Sequence, residues 1–289
     1  MALLATVALL AVVFSLAIYG RPAVPTESYP AAAAPAAEGV LPPASGLLRP
    51  SAAFSIYLPS IYHTLALQQP IFGVQMNEIA VNHGLTLVVA GHSNWVRAAG
   101  VNWAAVETSE GVYNWAVLAP NEAQWKRASA AGLRPLVVVG TTPPWARMAV
   151  DKACGAIRPD KLAAFGNFMF ELVKRYSPPP YNLKYWEIWN EPDVDPAGFP
   201  GDNTFGCWGD HNDDYFGGGY FGQMLQVIYP RIKAADPSAQ VAVGGLLLDC
   251  DPNNPPAGKD CKSAKFFEGI LRQVGGAYFD GVGVHGYDV

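Results

Sequence analysis

The sequence predicts an α/β fold, a (β/α)8 (TIM) barrel that is incomplete within these 289 residues. From residue 71 onwards, short apolar segments alternate with amphipathic stretches of ten or more residues, which is the pattern of parallel β/α units. Residues 134–140 contain a continuous apolar run, as expected of a strand covered on both faces. No dinucleotide-binding glycine pattern follows the first strand, so a barrel is favoured. The periodicity alone leaves a doubly wound sheet open.

Six strands and five helices are predicted in chain order. The strands are predicted at 71–75, 95–98, 134–140, 183–190, 240–244 and 279–285. The helices are predicted at 82–92, 119–131, 159–176, 216–235 and 263–274. Gly132 is typical of a helix C-terminus, and three consecutive prolines from Pro178 stop the helix before them. A (β/α)8 barrel needs eight strands, so we expect the chain to be a C-terminally truncated fragment.

The N-terminal region differs in composition from the remainder of the chain. Residues 1–20 hold no charged side chain, which predicts a signal peptide or a membrane anchor; a buried core helix is the alternative. Residues 21–60 are rich in proline and alanine and are predicted to form a semi-rigid linker. We therefore expect residues 61–289 to form a domain that is secreted, or tethered through residues 1–20 to the outer side of the cytoplasmic membrane.

The overall composition limits the partners of the domain. Hydrophobic residues make up 51% of the chain and charged residues 15%, which excludes a disordered protein and permits a large core. The net charge is −5 and basic residues do not cluster, so nucleic acid is not expected as a partner. No protein partner, cofactor or metal is predicted. An acidic loop at 209–214 offers oxygen ligands for Ca²⁺ but lacks the EF-hand spacing, so we expect a solvated loop.

The four cysteines suggest an oxidising compartment. Their spacing contains no Cys-x-x-Cys pair and matches no zinc signature. We predict disulfides between Cys154 and Cys207 and between Cys250 and Cys261; free buried thiols in a cytosolic protein are the alternative.

The most informative segment is residues 185–192, Tyr-Trp-Glu-Ile-Trp-Asn-Glu-Pro, at the end of the fourth predicted strand. An acid at the end of a buried strand is costly unless it is used or paired. Pro192 should push Glu191 toward an extended conformation and end the strand. Glu191 is therefore a candidate general acid. Glu187 precedes it on the same strand, and we expect a buried, paired structural acid there.

This segment resembles the fourth-strand motif of retaining glycoside hydrolases of clan A, which are (β/α)8 enzymes that include families 5 and 39. The resemblance implies that Glu191 is the acid/base and that Asn190 hydrogen-bonds the 2-hydroxyl of the cleaved sugar. His285-Gly286-Tyr287 looks like the His-x-Tyr of the sixth strand in these enzymes. By that resemblance Tyr287 orients the nucleophile and His285 lines the sugar site.

Two further substrate-binding candidates follow from the same resemblance. Arg97 lies near the end of the second strand, where the clan often has an active-site arginine; a salt bridge to Glu187 is the alternative. Trp145, in a segment after the third strand that is closer to family 39 than to family 5, is a candidate sugar platform. Trp189 and Trp208 are weaker candidates for the same role, because most tryptophans are expected in the core.

The resemblance implies hydrolysis of O-glycosidic bonds in β-linked oligo- or polysaccharides by a retaining double displacement, as in polysaccharide degradation. The nucleophile is expected at the end of a seventh strand beyond Val289, because neither Glu78 nor Asp288 lies where the family places it. The fragment alone is therefore expected to be inactive. A non-catalytic carbohydrate-binding or decayed barrel is the main alternative, and a metal-dependent barrel hydrolase is a weaker one.

Overall fold

The computed structural model describes residues 72–149, 151–198, 206–248, 250, 257 and 261–286. The predicted export segment (1–20), the predicted linker (21–60) and Tyr287 lie outside the described residues. Within the described part of the chain, no helix is both long and apolar enough to cross a membrane.

The described residues form a parallel sheet that is curled into part of a barrel. Its strands are β1 (Gly73–Gln75), β2 (Trp95–Arg97), β3 (Val101–Asn102), β4 (Arg134–Gly140), β5 (Tyr185–Ile188), β6 (Gln240–Leu248) and β7 (Gly281–Gly286). The pairing order is β1-β2-β4-β5-β6-β7, and the two-residue β3 pairs with the end of β4. All pairs are parallel. Because the order follows the chain without reversal, the doubly wound alternative is wrong, and the sheet matches an incomplete (β/α)8 barrel.

Helices connect the strands. They are α1 (Leu85–Ala90), α2 (Trp103–Val106), α3 (Ala119–Ala130), α4 (Leu162–Tyr176), α5 (Gly218–Ala235) and α6 (Lys262–Val274). Five of the six α-helices lie at positions that the sequence predicts, whereas the short helix Trp103–Val106, like the strand Val101–Asn102, falls where neither a helix nor a strand is predicted. The predicted first helix is shorter than expected, because Gly84, at a φ of 93°, separates a 3₁₀ turn from α1. Gly132 adopts a φ of 72° just beyond α3, a left-handed conformation that glycine tolerates best.

The main core lies between the sheet and the helices. Along β4 the side chains of Pro135, Val137 and Val139 are buried, and the intervening side chains are only partly buried. Val137 and Val139 belong to one buried cluster with aromatic and aliphatic residues of α4, α5 and α6. The helices therefore cover one face of the sheet, and the carboxyl ends of the parallel strands share one edge, where a barrel places its site.

Two disulfides brace the loops that follow the strands. Cys154, between β4 and α4, is bonded to Cys207, between β5 and α5, and Cys250 is bonded to Cys261 just before α6. Both predicted pairings are confirmed.

Candidate active site

Five polar side chains predicted from the sequence meet where β2, β5 and β7 end. These residues are Arg97, Glu187, Asn190, Glu191 and His285. Direct hydrogen bonds connect some of them, and the backbone of Gly245 bridges Glu187 and Glu191. The structure therefore brings together residues that are almost two hundred positions apart in the chain.

Arg97 and Glu187 form a buried ion pair. Arg97 Nε donates to Glu187 Oε2 at 2.7 Å, and Arg97 Nη2 donates to Oε1 at 3.0 Å. The backbone N–H of Gly245 also donates to Glu187 Oε1, at 2.9 Å. Only 3% of the Glu187 side chain is exposed. The prediction of a buried, paired Glu187 is confirmed, and both partners are needed because an unpaired buried charge is strongly destabilising.

The same arginine links the ion pair to Asn190 and to β1. Arg97 Nη2 donates to Asn190 Oδ1 at 2.6 Å, and Nη1 donates to Gln75 Oε1 at 2.9 Å. Because the Asn190 side-chain oxygen accepts from Arg97, the amide group of Asn190 is fixed in orientation. Gln75 is a member of this network that the sequence analysis missed; its position as the last residue of β1 was the available signal.

Glu191 is buried and is held by β6 and β7. Its carboxylate Oε1 lies 2.8 Å from His285 Nδ1, and its backbone N–H donates to the Gly245 carbonyl at 3.0 Å. Glu191 is only 8% exposed and His285 is also buried. A carboxylate that accepts from an imidazole N–H is oriented at a defined point of the site.

The backbone at the end of β5 differs from the sequence prediction. Glu191 has a φ of 50°, so the extended conformation expected before Pro192 is wrong, and Trp189 has a φ of 68°. Two neighbouring strands hold this turn, because the Trp189 N–H donates to Val139 on β4 and the Glu191 N–H to Gly245 on β6. Left-handed backbone outside glycine is strained and persists where its surroundings fix it.

The tryptophans fall into two groups. Trp189 is 1% exposed, donates its indole N–H to the Gly206 carbonyl and packs edge-on against the buried Trp208. Neither ring offers a face to a sugar, so the weaker predictions for these two residues are wrong. Trp145 is only partly buried; its indole N–H donates to the carbonyl of Glu107 at 3.0 Å, and Lys161 Nζ lies 5.9 Å from its ring centroid.

Two further acids are buried, and neither was predicted as a site residue from the sequence. Asp193 is 5% exposed and accepts hydrogen bonds from Leu247 N–H and from the Ser263 hydroxyl. Burial raises its pKa to about 6 against the opposing effect of these hydrogen bonds. Glu107 accepts from the Trp103 indole and from Gly111 N–H, and burial raises its pKa. For Asp193, the available signal was its place two residues after Glu191.

The described residues contain no group of three histidine, cysteine, aspartate or glutamate side chains that could hold a metal ion. In the acidic loop that follows Trp208, Asp210 and Asp213 accept hydrogen bonds from backbone N–H groups of their own loop.

Comparisons with known proteins give structural similarities but no sequence match. No protein-family model and no curated protein matches the chain. One similar structure is a family 39 glycoside hydrolase from Bacteroides cellulosilyticus, with 19% identity and a TM-score of 0.42 over 60% of this chain and 31% of that chain. A second is a monomeric beta-xylosidase from Caulobacter crescentus, with 18% identity and a TM-score of 0.42 over 61% of this chain and 36% of that chain.

A third similar structure is a family 30 subfamily 8 xylanase from Clostridium acetobutylicum, with 16% identity and a TM-score of 0.44 over 63% of this chain and 42% of that chain. The chain therefore spans less than half the length of each of these three structures. Two of these structures are described as glycoside hydrolases and one as a beta-xylosidase.

Proposed function

We propose that the chain belongs to an enzyme that hydrolyses O-glycosidic bonds in β-linked oligo- or polysaccharides with retention of configuration, and that Glu191 is its acid/base. The observation that carries the proposal is the buried Glu191 carboxyl, held 2.8 Å from His285 Nδ1 where β5 ends, beside the Asn190–Arg97 hydrogen bond.

In this mechanism Glu191 acts twice. In its protonated form it gives a proton to the glycosidic oxygen while a second carboxylate attacks the anomeric carbon, so the C–O bond to the leaving group breaks and an ester to the enzyme forms. In the second step the Glu191 carboxylate takes a proton from a water molecule, whose oxygen displaces the enzyme carboxylate. An N–H donated by His285 Nδ1 stabilises the ionised carboxylate between the two steps.

Asn190 is the residue that we propose for contact with the 2-hydroxyl of the sugar. Its carbonyl oxygen accepts from Arg97, so its amide N–H groups are the donors directed to a ligand. Arg97 itself bonds Glu187, Asn190 and Gln75 and is largely buried. We therefore give Arg97 a positioning role through Asn190. His285 and Trp145 complete the proposed sugar site.

The second carboxylate must lie about 5–5.5 Å from the acid/base in a retaining enzyme. Glu187 is bound by Arg97 and by Gly245 N–H, which suits a structural role. We propose that the nucleophile lies beyond Val289 and that Tyr287 orients it. Hydrolysis is then a property of the full-length gene product, and the 289-residue chain alone is expected to be inactive.

We also propose that the protein works outside the cell, either free or tethered through residues 1–20. The two disulfides support this location, since disulfides persist in oxidising compartments.

The test is the change Glu191→Ala in the full-length protein. Kinetics are measured on β-glucosides and β-xylosides that carry either a dinitrophenol or an alkyl leaving group. The alkyl glycosides need a proton at the leaving oxygen, so their kcat/KM should fall by about 10³-fold, whereas the dinitrophenyl glycosides should lose about 10-fold or less in the glycosylation step.

Glu78→Ala is the matched control, because Glu78 is an acid near the end of β1 whose side chain is 43% exposed. It should leave both rates unchanged. Equal losses on the two substrate classes in Glu191→Ala would contradict the acid/base role. Saturable glycan binding by a wild-type protein that turns over neither class would favour the carbohydrate-binding alternative.

A further inference from the structure

We propose that Asp193 is a positioning residue that fixes Glu191 by tying the segment after it to the end of β6 and the start of α6. The catalytic consequence rests on the function proposed above, whereas the structural tie can be tested without it.

The tie consists of three contacts to a buried carboxyl. Leu247 N–H donates to both oxygens of Asp193, each at 3.1 Å. The Ser263 hydroxyl lies 2.7 Å from Asp193 Oδ2 and also contacts the Leu247 carbonyl. Ser263 is in the first turn of α6, two residues after the disulfide-bonded Cys261. One carboxyl therefore joins the segment after β5 to a strand and to a helix.

The same part of the sheet holds Glu191 itself. Leu247 on β6 is the register partner of His285 on β7, and His285 contacts the Glu191 carboxylate. The Glu191 N–H donates to Gly245, two residues before Leu247. Glu191 and Asp193, the residues before and after Pro192, thus both bind the same short stretch of β6 and β7. A shift of Asp193 would therefore turn the Glu191 side chain.

The Ser263 hydroxyl lies against two acceptors, and a protonated Asp193 would satisfy both of them. Ser263 has one hydroxyl hydrogen, but both the Leu247 carbonyl and an ionised Asp193 would accept it. With Asp193 protonated, its O–H donates to Ser263 Oγ and the Ser263 O–H donates to Leu247. Burial raises the pKa of Asp193 to about 6, and the charge of Glu191, which itself contacts His285 on β7, acts in the same direction.

Asparagine is a close mimic of the protonated acid. Its side-chain oxygen can accept from Leu247 N–H, and its amide can donate to Ser263 Oγ, which leaves the hydroxyl for the Leu247 carbonyl. Alanine removes all of the contacts that the Asp193 carboxyl makes with Leu247 and Ser263. Asp193→Asn is therefore the matched control for Asp193→Ala, and the turn should fold in both variants because the Val194 N–H still donates to the Glu191 carbonyl.

Amide hydrogen exchange on the 289-residue chain at pH 5 tests the tie. In Asp193→Ala the amides of Glu191 and Leu247 should exchange about 10-fold faster or more, and in Asp193→Asn within about 3-fold of wild type. Leu172, buried in the middle of α4, is the internal reference for global unfolding, and its exchange should accelerate much less than that of Glu191 and Leu247. Unchanged exchange at Glu191 in Asp193→Ala, or equal acceleration at Leu172, would overturn the proposal.

Kinetics of the full-length protein test the catalytic consequence. Asp193→Ala should lower kcat on alkyl β-glycosides by about 10-fold or more, with much smaller effects on dinitrophenyl glycosides and on KM, and Asp193→Asn should restore it. A loss that is equal for both leaving groups would mean a merely structural role. If Glu191→Ala itself fails to discriminate between the leaving groups, the proposed function fails, while the exchange result stands.

Discussion

At the scale of single residues, the site is organised by pairing its buried carboxyls in different ways. Glu187 has a cationic partner and a backbone N–H, Glu191 has an imidazole, and Asp193 has a hydroxyl and a backbone N–H. A guanidinium favours an ionised carboxylate, whereas burial with neutral donors leaves Asp193 with a raised pKa. The three carboxyls therefore have different surroundings, although they lie within seven consecutive residues of the chain.

The raised pKa of Asp193 predicts a pH dependence of stability. Because its pKa is about 6 in the folded chain and 3.8 ordinarily, the folded state binds this proton more tightly between those values. Protonated Asp193 therefore stabilises the folded chain fully below about pH 4, and this stabilisation is lost as the pH rises through 6. The resulting decrease in the free energy of unfolding is about 3 kcal/mol or less. Urea unfolding at pH 4 to 7 should show wild type losing stability relative to Asp193→Asn.

Asp236 is a control for which stability should depend on pH in the opposite direction. Burial would raise its pKa, but hydrogen bonds from Lys184 and Ser238 hold it well below its ordinary value. Asp236→Asn should therefore lose more stability relative to wild type at pH 7 than at pH 3. If the free energies of unfolding of wild type and Asp193→Asn changed with pH in parallel, the raised pKa of Asp193 in the folded chain would be contradicted.

At the scale of elements, an irregularity in β6 shapes the site. The register between β6 and β7 shifts between Val243 and Leu246, and the two intervening residues are glycines. A Cβ on Gly245 would lie about 2 Å from the His285 ring, so only glycine lets the imidazole reach Glu191. The bulge also aims the Gly245 N–H at Glu187 and its carbonyl at the Glu191 N–H.

The change Gly245→Ala should displace His285 and break its contact with Glu191. We expect a loss of about 1–3 kcal/mol in the free energy of unfolding from overpacking, measured by urea denaturation. Gly219→Ala in α5 is the matched control, because a Cβ there meets nothing within 4 Å, and it should be neutral or slightly stabilising. Equal stability of the two variants would refute this role of the bulge.

The elements also show how far sequence patterns reach. Most strands and helices were predictable because their periodicity is local, whereas β3 and α2 are too short to show a period. The fourth-strand motif pointed to Glu191 by its residues alone. The left-handed φ of Glu191 was not predictable from the sequence. A residue before proline prefers an extended conformation, and the neighbouring strands impose the left-handed one. The tie from Asp193 to Ser263 spans seventy positions and depends on how β6 and α6 pack.

At the scale of the whole molecule, the strand order decides the architecture. The sequence left a barrel and a doubly wound sheet open because both have the same alternation of elements. Only long-range pairing separates them, and the order β1-β2-β4-β5-β6-β7 runs in one direction. With every carboxyl end at one edge, residues from β2 to β7 converge on Glu191, which is the geometric basis of the proposed activity.

The most direct test of that activity is azide rescue of Glu191→Ala in the full-length protein. With the carboxylate removed, azide can occupy its place and attack the anomeric carbon of the enzyme ester, which releases the enzyme carboxylate and forms a glycosyl azide. On a dinitrophenyl β-glycoside, azide should accelerate turnover of the variant but not of wild type, and the product should be the β-glycosyl azide. No acceleration, or an α-glycosyl azide, would contradict Glu191 as the acid/base of a retaining enzyme.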